Sequence, residues 1–296
     1  MKLLVTGAGG QLATELVRRA GVNQVIALAR TEIDIADAAA VFKAVENIAP
    51  DAVVNAAAYT AVDRAESEAE LAFAANRDGP AHLAAACAAR GIPLLHVSTD
   101  YVFDGAKAGA YTEEDPPGPG PLGVYGQSKA EGEAAVRAAL PEHIILRTSW
   151  IFSAHGNNFV KTMLRLAGER DELRVVADQQ GCPTAAGDLA TAILAMLPLA
   201  IGYGGRGGRW GTYHFCQPDA TAWHGFAEAI VDQARAAGAQ IRAQRIVPIT
   251  TAEYPTPAKR PANSVLDCAK LTSVFGIQPR PWRVSLHEVI QELQSD

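Results

Sequence analysis

The chain opens with the run Lys2-Leu3-Leu4-Val5-Thr6-Gly7-Ala8-Gly9-Gly10-Gln11-Leu12-Ala13. An apolar segment typical of a buried strand passes into glycines, and an amphipathic segment follows them. In such a strand–turn–helix unit, backbone N–H groups and the positive end of the helix can hold a diphosphate. The spacing is Gly7-x-x-Gly10, with Ala13 where a third glycine is usual. Alanine is still small enough for close packing, so the run predicts a dinucleotide-binding site.

The same succession continues along the first half of the chain. Short aliphatic runs alternate with alanine-rich amphipathic runs, which is typical of βαβ units in a parallel sheet. The aliphatic runs are continuous, as in strands covered by helices on both faces. We predict strands at 3–6, 25–28, 52–55, 94–98, 144–148 and 212–216, and helices at 11–20, 38–48, 68–90 and 126–140, the third bent or broken at Gly79-Pro80.

Segments rich in glycine and proline, at 106–123, 202–211 and 254–261, interrupt this pattern, which loosens after Trp150. We therefore expect an α/β protein with a Rossmann-type doubly wound parallel sheet and a smaller, discontinuous C-terminal domain. In this prediction residues 1–150 form the dinucleotide-binding domain, with the sheet completed by about 211–216, and residues 151–296 form mainly the second domain.

Composition excludes several classes of protein. With 49% hydrophobic and 20% charged residues, the chain is not intrinsically disordered. Its net charge of −6 argues against a surface that coats nucleic acid or an anionic membrane. The four cysteines show no paired spacing, which indicates reduced thiols and neither a disulfide frame nor a zinc site. The longest apolar stretch, 192–201, is shorter than the ~20 residues that span a bilayer. We expect a soluble, cytoplasmic protein.

The end of the second predicted strand bears on which dinucleotide binds. A carboxylate there accepts hydrogen bonds from the adenosine ribose and repels a 2′-phosphate. This chain has Ala27-Leu28-Ala29-Arg30-Thr31, with no carboxylate directly after the strand. Arg30 is suited to pair with a 2′-phosphate, although a solvated surface arginine is an equally good reading. Asp34 and Ile35 follow in a loop that can contact adenine.

A phenol and an ammonium, Tyr125 and Lys129, stand four residues apart on one face of a predicted helix. A nearby ammonium favours the phenolate and brings a tyrosine toward useful acid–base strength. Thr99 ends the preceding strand, at the sheet edge where α/β proteins bind ligands. Its hydroxyl is placed to hold a substrate carbonyl beside Tyr125, although a strand-end hydrogen bond is the simpler role.

Further segments complete a family pattern: the run 55–58 (NAAA), Asn76, the run 98–105 (STDYVFDG), and then 55–63 (NAAAYTAVD), 147–151 (RTSWI), 156–166 (GNNFVKTMLRL), 179–184 (QQGCPT) and 254–264 (YPTPAKRPANS). Together with the glycine run and Tyr125-x-x-x-Lys129, they resemble the extended short-chain dehydrogenase/reductases, and within these the dTDP-4-dehydrorhamnose reductase family. The resemblance covers nearly the whole chain. Its later segments belong to the substrate-binding part and are more specific than the glycine run.

The resemblance implies an enzyme, an oxidoreductase of dTDP-rhamnose biosynthesis. Its reaction would be NADPH- or NADH-dependent reduction of the 4-keto group of dTDP-4-dehydro-6-deoxy-L-mannose (dTDP-6-deoxy-L-lyxo-4-hexulose) to dTDP-L-rhamnose, the last step of that pathway. It also implies that residues 151–296 bind mainly the dTDP-sugar substrate.

Roles for individual residues follow from the resemblance. Tyr125 would protonate the developing C4 alkoxide, Lys129 would hold the nicotinamide ribose and lower the pKa of the tyrosine, and Thr99 would bind the carbonyl. The glycine run would place Gly7, Gly10, Gln11 and Leu12 at the pyrophosphate. Asp34 and Ile35 would lie near the adenine, and Ala57, Ala58 and Thr60 would line the ribose and nicotinamide. The sugar nucleotide would take Asp100, Tyr125, Trp150, Asn157 and Arg260.

Some of these residues also have ordinary structural readings. Trp150 can fill the junction between the domains, Asn157-Asn158 can cap the helix that begins at residue 159, and Arg260 can form a structural ion pair. Members of the family bind Mg²⁺ at a dimer contact through acidic residues, so the resemblance admits Mg²⁺ and a homodimer. Glu15 matches one such position, but Asp188 stands where a glutamate is found, and no metal ligand is assigned.

Two other functions stay open. One is another sugar-nucleotide enzyme of the extended family, such as a 4-epimerase or a dehydratase; the glutamate that dehydratases add beside Thr99 is missing, since Asp100 and Tyr101 follow. The other is a non-catalytic subunit, like the reductase-like regulatory subunit of methionine adenosyltransferase. The absence of an N-terminal extension favours the enzyme over this binding module.

Overall fold

The computed structural model describes residues 1–117, 122–202 and 207–295; parts of the predicted loops 106–123 and 202–211 therefore lie outside the described residues. Within these ranges the strands are β1 (Lys2–Thr6), β2 (Gln24–Leu28), β3 (Ala52–Asn55), β4 (Leu94–Thr99), β5 (His143–Thr148), β6 (Ile151–Phe152), β7 (Glu172–Val176), β8 (Gln180–Gly181), β9 (Thr184–Ala185), β10 (Gly211–His214), β11 (Thr221–Ala222) and β12 (Arg245–Ile249).

The α-helices of the same ranges are α1 (Gln11–Arg18), α2 (Ala38–Ile48), α3 (Val62–Ala65), α4 (Ala69–Phe73), α5 (Gly79–Arg90), α6 (Gly123–Ala139), α7 (Phe159–Glu169), α8 (Ala186–Ile201), α9 (Trp223–Ala236), α10 (Ala269–Phe275) and α11 (Trp282–Ser295). None of these helices is both long and apolar enough to cross a membrane.

The main sheet has the strand order β2-β1-β3-β4-β5-β10, and every neighbouring pair is parallel. Its α/β, doubly wound architecture confirms the predicted fold class. The chain reverses direction across the sheet between β1 and β3, which is the switch point where open α/β sheets bind ligands. The sixth strand comes from residues 211–214, far along the chain from the other five.

The continuous apolar runs are explained by cover on both faces of the sheet. Leu3 and Val5 point to one face, where α1, α8 and α10 pack, and Leu4 points to the other, where α2 and α5 pack. All six residues of β5 are buried, whereas the edge strand β2 is partly exposed. Burial of a large aliphatic side chain stabilises the fold by about 1.5–3 kcal/mol, and this double-sided core supplies many such side chains.

The helix predicted at 68–90 is interrupted, but one turn earlier than the glycine–proline pair. Residues Ala74–Asp78 form a π-helical turn between α4 and α5, and Gly79-Pro80 begin α5. Proline has no N–H to donate and is well accommodated in the first turn of a helix. The wider turn ahead of it carries Asn76 inward toward α6.

A second hydrophobic core lies among residues 150–293. Phe152, Phe226 and Trp282 are fully buried at its centre, where α7, α9 and α11 meet. Short strand pairs accompany it: β7 with β12, β8 with β11, and β6 with β9. The helix α8 and the strand β10 pack instead on the main sheet. The division near residue 150 stays a prediction.

Candidate active site

A cleft of about 720 Å³ opens at the carboxyl ends of β1, β3, β4 and β5. It brings together nearly all the residues that the sequence singled out: Gly7, Gly10, Gln11, Leu12, Arg30, Asp34, Ile35, Ala57, Ala58, Thr60, Thr99, Asp100, Tyr125, Lys129, Trp150 and Asn157. These come from both the main sheet and the segments after it. Its volume lies within the range that is usual for small-molecule and cofactor sites.

The glycine run is built to hold an anion. Gly7 has φ +88°, and a Cβ there would lie 2.8 Å from the backbone nitrogen of Ala57, so only glycine fits. Gly10 precedes α1 without capping it through a side chain, and the first turn of α1 contains no acidic residue. The first N–H groups of an α-helix have no partner within the helix. They and the helix dipole therefore fit the diphosphate of a dinucleotide.

At the far end of the cleft, Arg30 and Asp34 form an ion pair, with Nη2 to Oδ2 at 3.5 Å. The Arg30 side chain is 78% exposed, so this contact is weak and can be exchanged for another anion. Glu32 turns back and accepts a hydrogen bond from the Ala29 N–H at 2.8 Å. Of the two carboxylates at this end of the cleft, Asp34 is held only by an exposed ion pair, and Glu32 is turned back to the backbone.

The reacting end of the cleft contains Thr99, Asp100 and Tyr125. Thr99 donates its hydroxyl hydrogen to Asp100, with Oγ1 to Oδ1 at 2.8 Å. Burial raises the pKa of Tyr125 to about 12, a hydrogen bond with Thr99 acts to lower it, and the nearby Asp100 raises it further. A protonated phenol therefore stands beside a threonine hydroxyl, which is the arrangement a proton donor to a carbonyl oxygen needs.

Lys129 is fully buried beneath Tyr125, but its ammonium does not act on the phenol as the sequence analysis expected. The Nζ atom donates to the carbonyl of Val97 at 2.7 Å and lies 3.4 Å from Nε2 of His96. Burial lowers the pKa of Lys129 to about 8, and Glu133, one helical turn further on, raises it. The expected lowering of the Tyr125 pKa by Lys129 is not seen, because the ammonium is turned toward β4.

The helix α6, which carries Tyr125 and Lys129, two of the three catalytic candidates, is fixed at two places. At its beginning, Glu66 accepts a hydrogen bond from the Val124 N–H at 2.9 Å. Along its length, Gly132 packs directly against the π-helical turn, where a Cβ would lie 2.0 Å from the Asn76 carbonyl oxygen. Asn76 in turn donates to Ser128 Oγ at 3.1 Å. The tyrosine and lysine are therefore held by a rigid support.

Another part of the cleft wall is a pair of stacked indoles, Trp150, which the sequence analysis named, and Trp223, which it did not find. Trp150 and Trp223 lie face to face, with ring centroids 3.5 Å apart and planes inclined by 9°. Trp150 has φ +46°, rare for a residue with a side chain, and its ring covers Gly181, where a Cβ would lie 2.4 Å from Cε2. Backbone strain of this kind costs about 1–3 kcal/mol and concentrates at functional sites.

Asn157 and Arg260, both candidates for the sugar nucleotide, lie in different surroundings. Asn158 caps α7, with Oδ1 accepting from the Lys161 N–H at 3.1 Å, which leaves Asn157 to line the cleft. Arg260 does not line the cleft: its Nη2 donates to Asp63 at 2.7 Å, the ion pair that the sequence left open. Within the described residues, Nη1 of Arg260 is buried without a hydrogen-bond partner.

The carboxylates considered for Mg²⁺ are paired with arginines. Glu15 accepts from Arg18 and Arg19 at 2.9 and 2.8 Å, and Asp188 accepts from Arg280 at 2.7 Å. The described part of the chain contains no group of three or more side chains arranged to hold a metal ion. These residues do not fit a magnesium site within one chain.

A glycine-rich turn suited to a diphosphate and a Tyr-x-x-x-Lys pair line one cleft, and residues after β5 complete its lining. This arrangement is that of an extended short-chain dehydrogenase/reductase. Residues 1–295 match the family model described as the RmlD substrate binding domain. The chain belongs to this family.

Relatives agree with the match over their full lengths. A dTDP-4-dehydrorhamnose reductase of Sinorhizobium fredii is 46% identical, covering 99% of this chain and 98% of the relative. Among solved structures, a dTDP-4-dehydrorhamnose reductase of Clostridium acetobutylicum has a TM-score of 0.90 at 39% identity, covering 99% of this chain and 100% of that one. One from Bacillus anthracis in complex with NADP has a TM-score of 0.89 at 33% identity, covering 98% and 99%.

Proposed function

We propose that this protein reduces the 4-keto group of dTDP-4-dehydro-6-deoxy-L-mannose to give dTDP-L-rhamnose. The observation that carries the proposal is the placement of Thr99, Tyr125 and Lys129 at the edge of one dinucleotide cleft. Full-length similarity to proteins named dTDP-4-dehydrorhamnose reductase supports the choice of substrate.

The nicotinamide, when bound, supplies the hydride. Tyr125 then gives its phenolic proton to the oxygen that becomes the C4 hydroxyl. A pKa raised to about 12 by burial keeps this residue protonated until the oxygen becomes more basic than the phenolate. Thr99 orients the same oxygen once its hydroxyl turns away from Asp100. Lys129, held by the Val97 carbonyl, keeps its remaining N–H groups for the nicotinamide ribose.

For the sugar nucleotide we propose the wall formed by Trp150 and Trp223, with Asn157 and Asp100 beside it. Stacked indoles offer a flat apolar face to a pyrimidine or a sugar ring. Arg260 serves the diphosphate only if its loop moves, because its guanidinium is bound to Asp63. For the cofactor we propose NADPH, with NADH also used. Arg30 stands at the ribose end of the cleft, and no carboxylate there is firmly held.

The test is turnover of enzymatically prepared dTDP-4-dehydro-6-deoxy-L-mannose, followed by loss of reduced-nicotinamide absorbance and by NMR identification of the product sugar. We expect dTDP-L-rhamnose and stoichiometric oxidation of the nicotinamide. A 4-epimerase would interconvert sugars without net oxidation, and a binding subunit would give no turnover. Either result refutes the proposed reduction.

A further inference from the structure

A line of fully buried polar side chains runs beneath the cleft from the glycine run to Lys129. It consists of Thr6, Asn55 and His96, which end or lie within the neighbouring strands β1, β3 and β4. Thr6 donates to Asn55 Oδ1 at 2.6 Å, Asn55 Nδ2 lies 3.0 Å from His96 Nδ1, and His96 Nε2 lies 3.4 Å from Lys129 Nζ. None of these three residues lines the cleft.

The orientation of the Asn55 amide follows from a backbone donor. The N–H of Ala57 donates to Asn55 Oδ1 at 3.2 Å. A backbone N–H cannot accept a hydrogen bond, so the oxygen of the amide must face it. The nitrogen of the same amide therefore faces His96 and donates to Nδ1.

This orientation fixes the tautomer of His96. Burial holds the pKa of His96 well below its usual range, and Lys129, Arg137 and His143 act in the same direction, so the imidazole is neutral. A neutral imidazole has one N–H and one acceptor nitrogen. Because Nδ1 accepts from Asn55, the hydrogen is on Nε2, the nitrogen that faces Lys129.

We propose that His96 is a positioning residue for Lys129: the tautomer imposed by Ala57 and Asn55 presents an N–H, and no lone pair, to the ammonium. Lys129 then has no acceptor in His96 and directs its protons to the Val97 carbonyl and to the nicotinamide ribose. The inference rests on the proposed function, because it assigns Lys129 to the cofactor.

The charges around Lys129 define what a pH measurement reports. Glu133 acts on Lys129, and Arg137 of α6 and His143 of β5 act on His96. Further out, Arg147 is paired with Glu133, and Asp100 acts on Tyr125. Since burial brings the pKa of Lys129 to about 8 and that of Tyr125 to about 12, loss of the ammonium governs the alkaline limb of activity. An N–H directed at the ammonium disfavours the protonated amine, so it lowers the pH at which activity is lost on the alkaline side.

The primary test needs no cofactor and no turnover. In ¹⁵N-histidine-labelled protein, nitrogen chemical shifts distinguish the two neutral tautomers and the imidazolium, and the resonances missing in His96→Gln identify His96 among the seven histidines. We expect Nε2–H with Nδ1 as acceptor at neutral pH. In Asn55→Asp, whose two oxygens both accept, we expect the hydrogen to move to Nδ1. A wild-type spectrum showing Nδ1–H or an imidazolium overturns the proposal.

The functional test compares His96→Gln with His143→Gln, the same change at a buried histidine of the adjacent strand that does not contact Lys129. A glutamine can turn its carbonyl oxygen toward the ammonium, so we expect the alkaline limb of kcat/KM to move up by about one pH unit in His96→Gln and to stay in place in His143→Gln. An unchanged or lowered limb in His96→Gln overturns the proposal. Absence of reductase activity in the wild type, with the expected tautomer present, refutes the proposed function instead.

Discussion

Thr99 donates its hydroxyl hydrogen to Asp100, the next residue in the chain, at 2.8 Å. The second carboxylate oxygen of Asp100 is buried and has no hydrogen-bond partner among the described residues. Burial raises the pKa of Asp100 to about 6, partly offset by the hydrogen bond from Thr99. The cleft therefore keeps a poorly solvated carboxylate next to the hydroxyl that must hold a carbonyl, which is an arrangement retained at a cost in stability.

That cost predicts that Asp100→Asn becomes more stable relative to the wild type as the pH rises. Because the unfolded carboxyl ionises near 3.8 and the folded one near 6, the contribution of Asp100 to wild-type stability falls as pH rises between these values and is then constant. The difference corresponds to about 3 kcal/mol. We expect the Tm of Asp100→Asn minus that of the wild type to increase between pH 4 and pH 6, by about 5 °C.

Asp104→Asn is the matched control for this measurement. The pKa of Asp104 is held below its usual range by the Ala106 N–H and the Tyr111 hydroxyl, so its ionised form stabilises the fold. Asp104→Asn should therefore lose stability relative to the wild type as pH rises. A Tm difference for Asp100→Asn that is flat from pH 4 to pH 7 would show that Asp100 is not a strained carboxylate.

The stacked indoles predict a separation between the two ligands. Trp223→Ala removes one face of the wall and leaves the glycine run intact, so the KM for the sugar nucleotide should rise about fivefold to tenfold while the KM for NADPH changes little. Trp210→Ala, a tryptophan packed on the main core outside the cleft, is the control. Equal effects of Trp223→Ala on both KM values would argue for a purely structural role.

The sequence was sufficient for the parts of the site that lie close together in the chain. The spacing of Tyr125 and Lys129 on one helix, and the glycines between β1 and α1, each predicted their own geometry. The partners of Lys129 were not predicted, because His96 and Val97 lie on β4, far from α6 in the chain. Only the packing of α6 on the sheet brings them to the lysine. Trp223 was missed for the same reason: nothing near it in the chain indicates that it meets Trp150.

The π-helical turn at Ala74–Asp78 shows a different limit. Apolar periodicity identifies a helix, and proline marks an irregularity within it, but a hydrogen-bond pattern one residue wider leaves almost the same periodicity. The turn is revealed by packing, since Gly132 approaches the carbonyl of Asn76. A bend was therefore predicted at Gly79-Pro80, and the irregular turn lies just before it.

Cofactor preference should be modest. Arg30 is largely exposed and already paired with Asp34, and an exposed ion pair contributes only ~0–1 kcal/mol. We expect NADPH to be used at least as well as NADH, with a several-fold preference at most. Arg30→Ala should raise the KM for NADPH and leave that for NADH almost unchanged. A wild-type preference for NADH of about tenfold or more would contradict this and assign Asp34 to the ribose.

Metal removal should have little effect. Because arginines already neutralise Glu15 and Asp188, the Tm and the turnover rate should be the same in excess Mg²⁺ and after exhaustive treatment with a chelator. A Tm that falls on chelation and is restored by Mg²⁺ would contradict the pairing seen within the chain.

Proton donation by Tyr125 is the step on which the proposed reduction depends. Tyr125→Phe removes only the phenolic hydroxyl, so we predict that kcat for dTDP-4-dehydro-6-deoxy-L-mannose falls about 10²–10⁴-fold while the Kd for NADPH is nearly unchanged. Tyr213→Phe, a buried tyrosine that donates to the Arg209 carbonyl away from the cleft, should retain wild-type kcat. Turnover of Tyr125→Phe at the wild-type rate would contradict the assignment of Tyr125 as the proton donor.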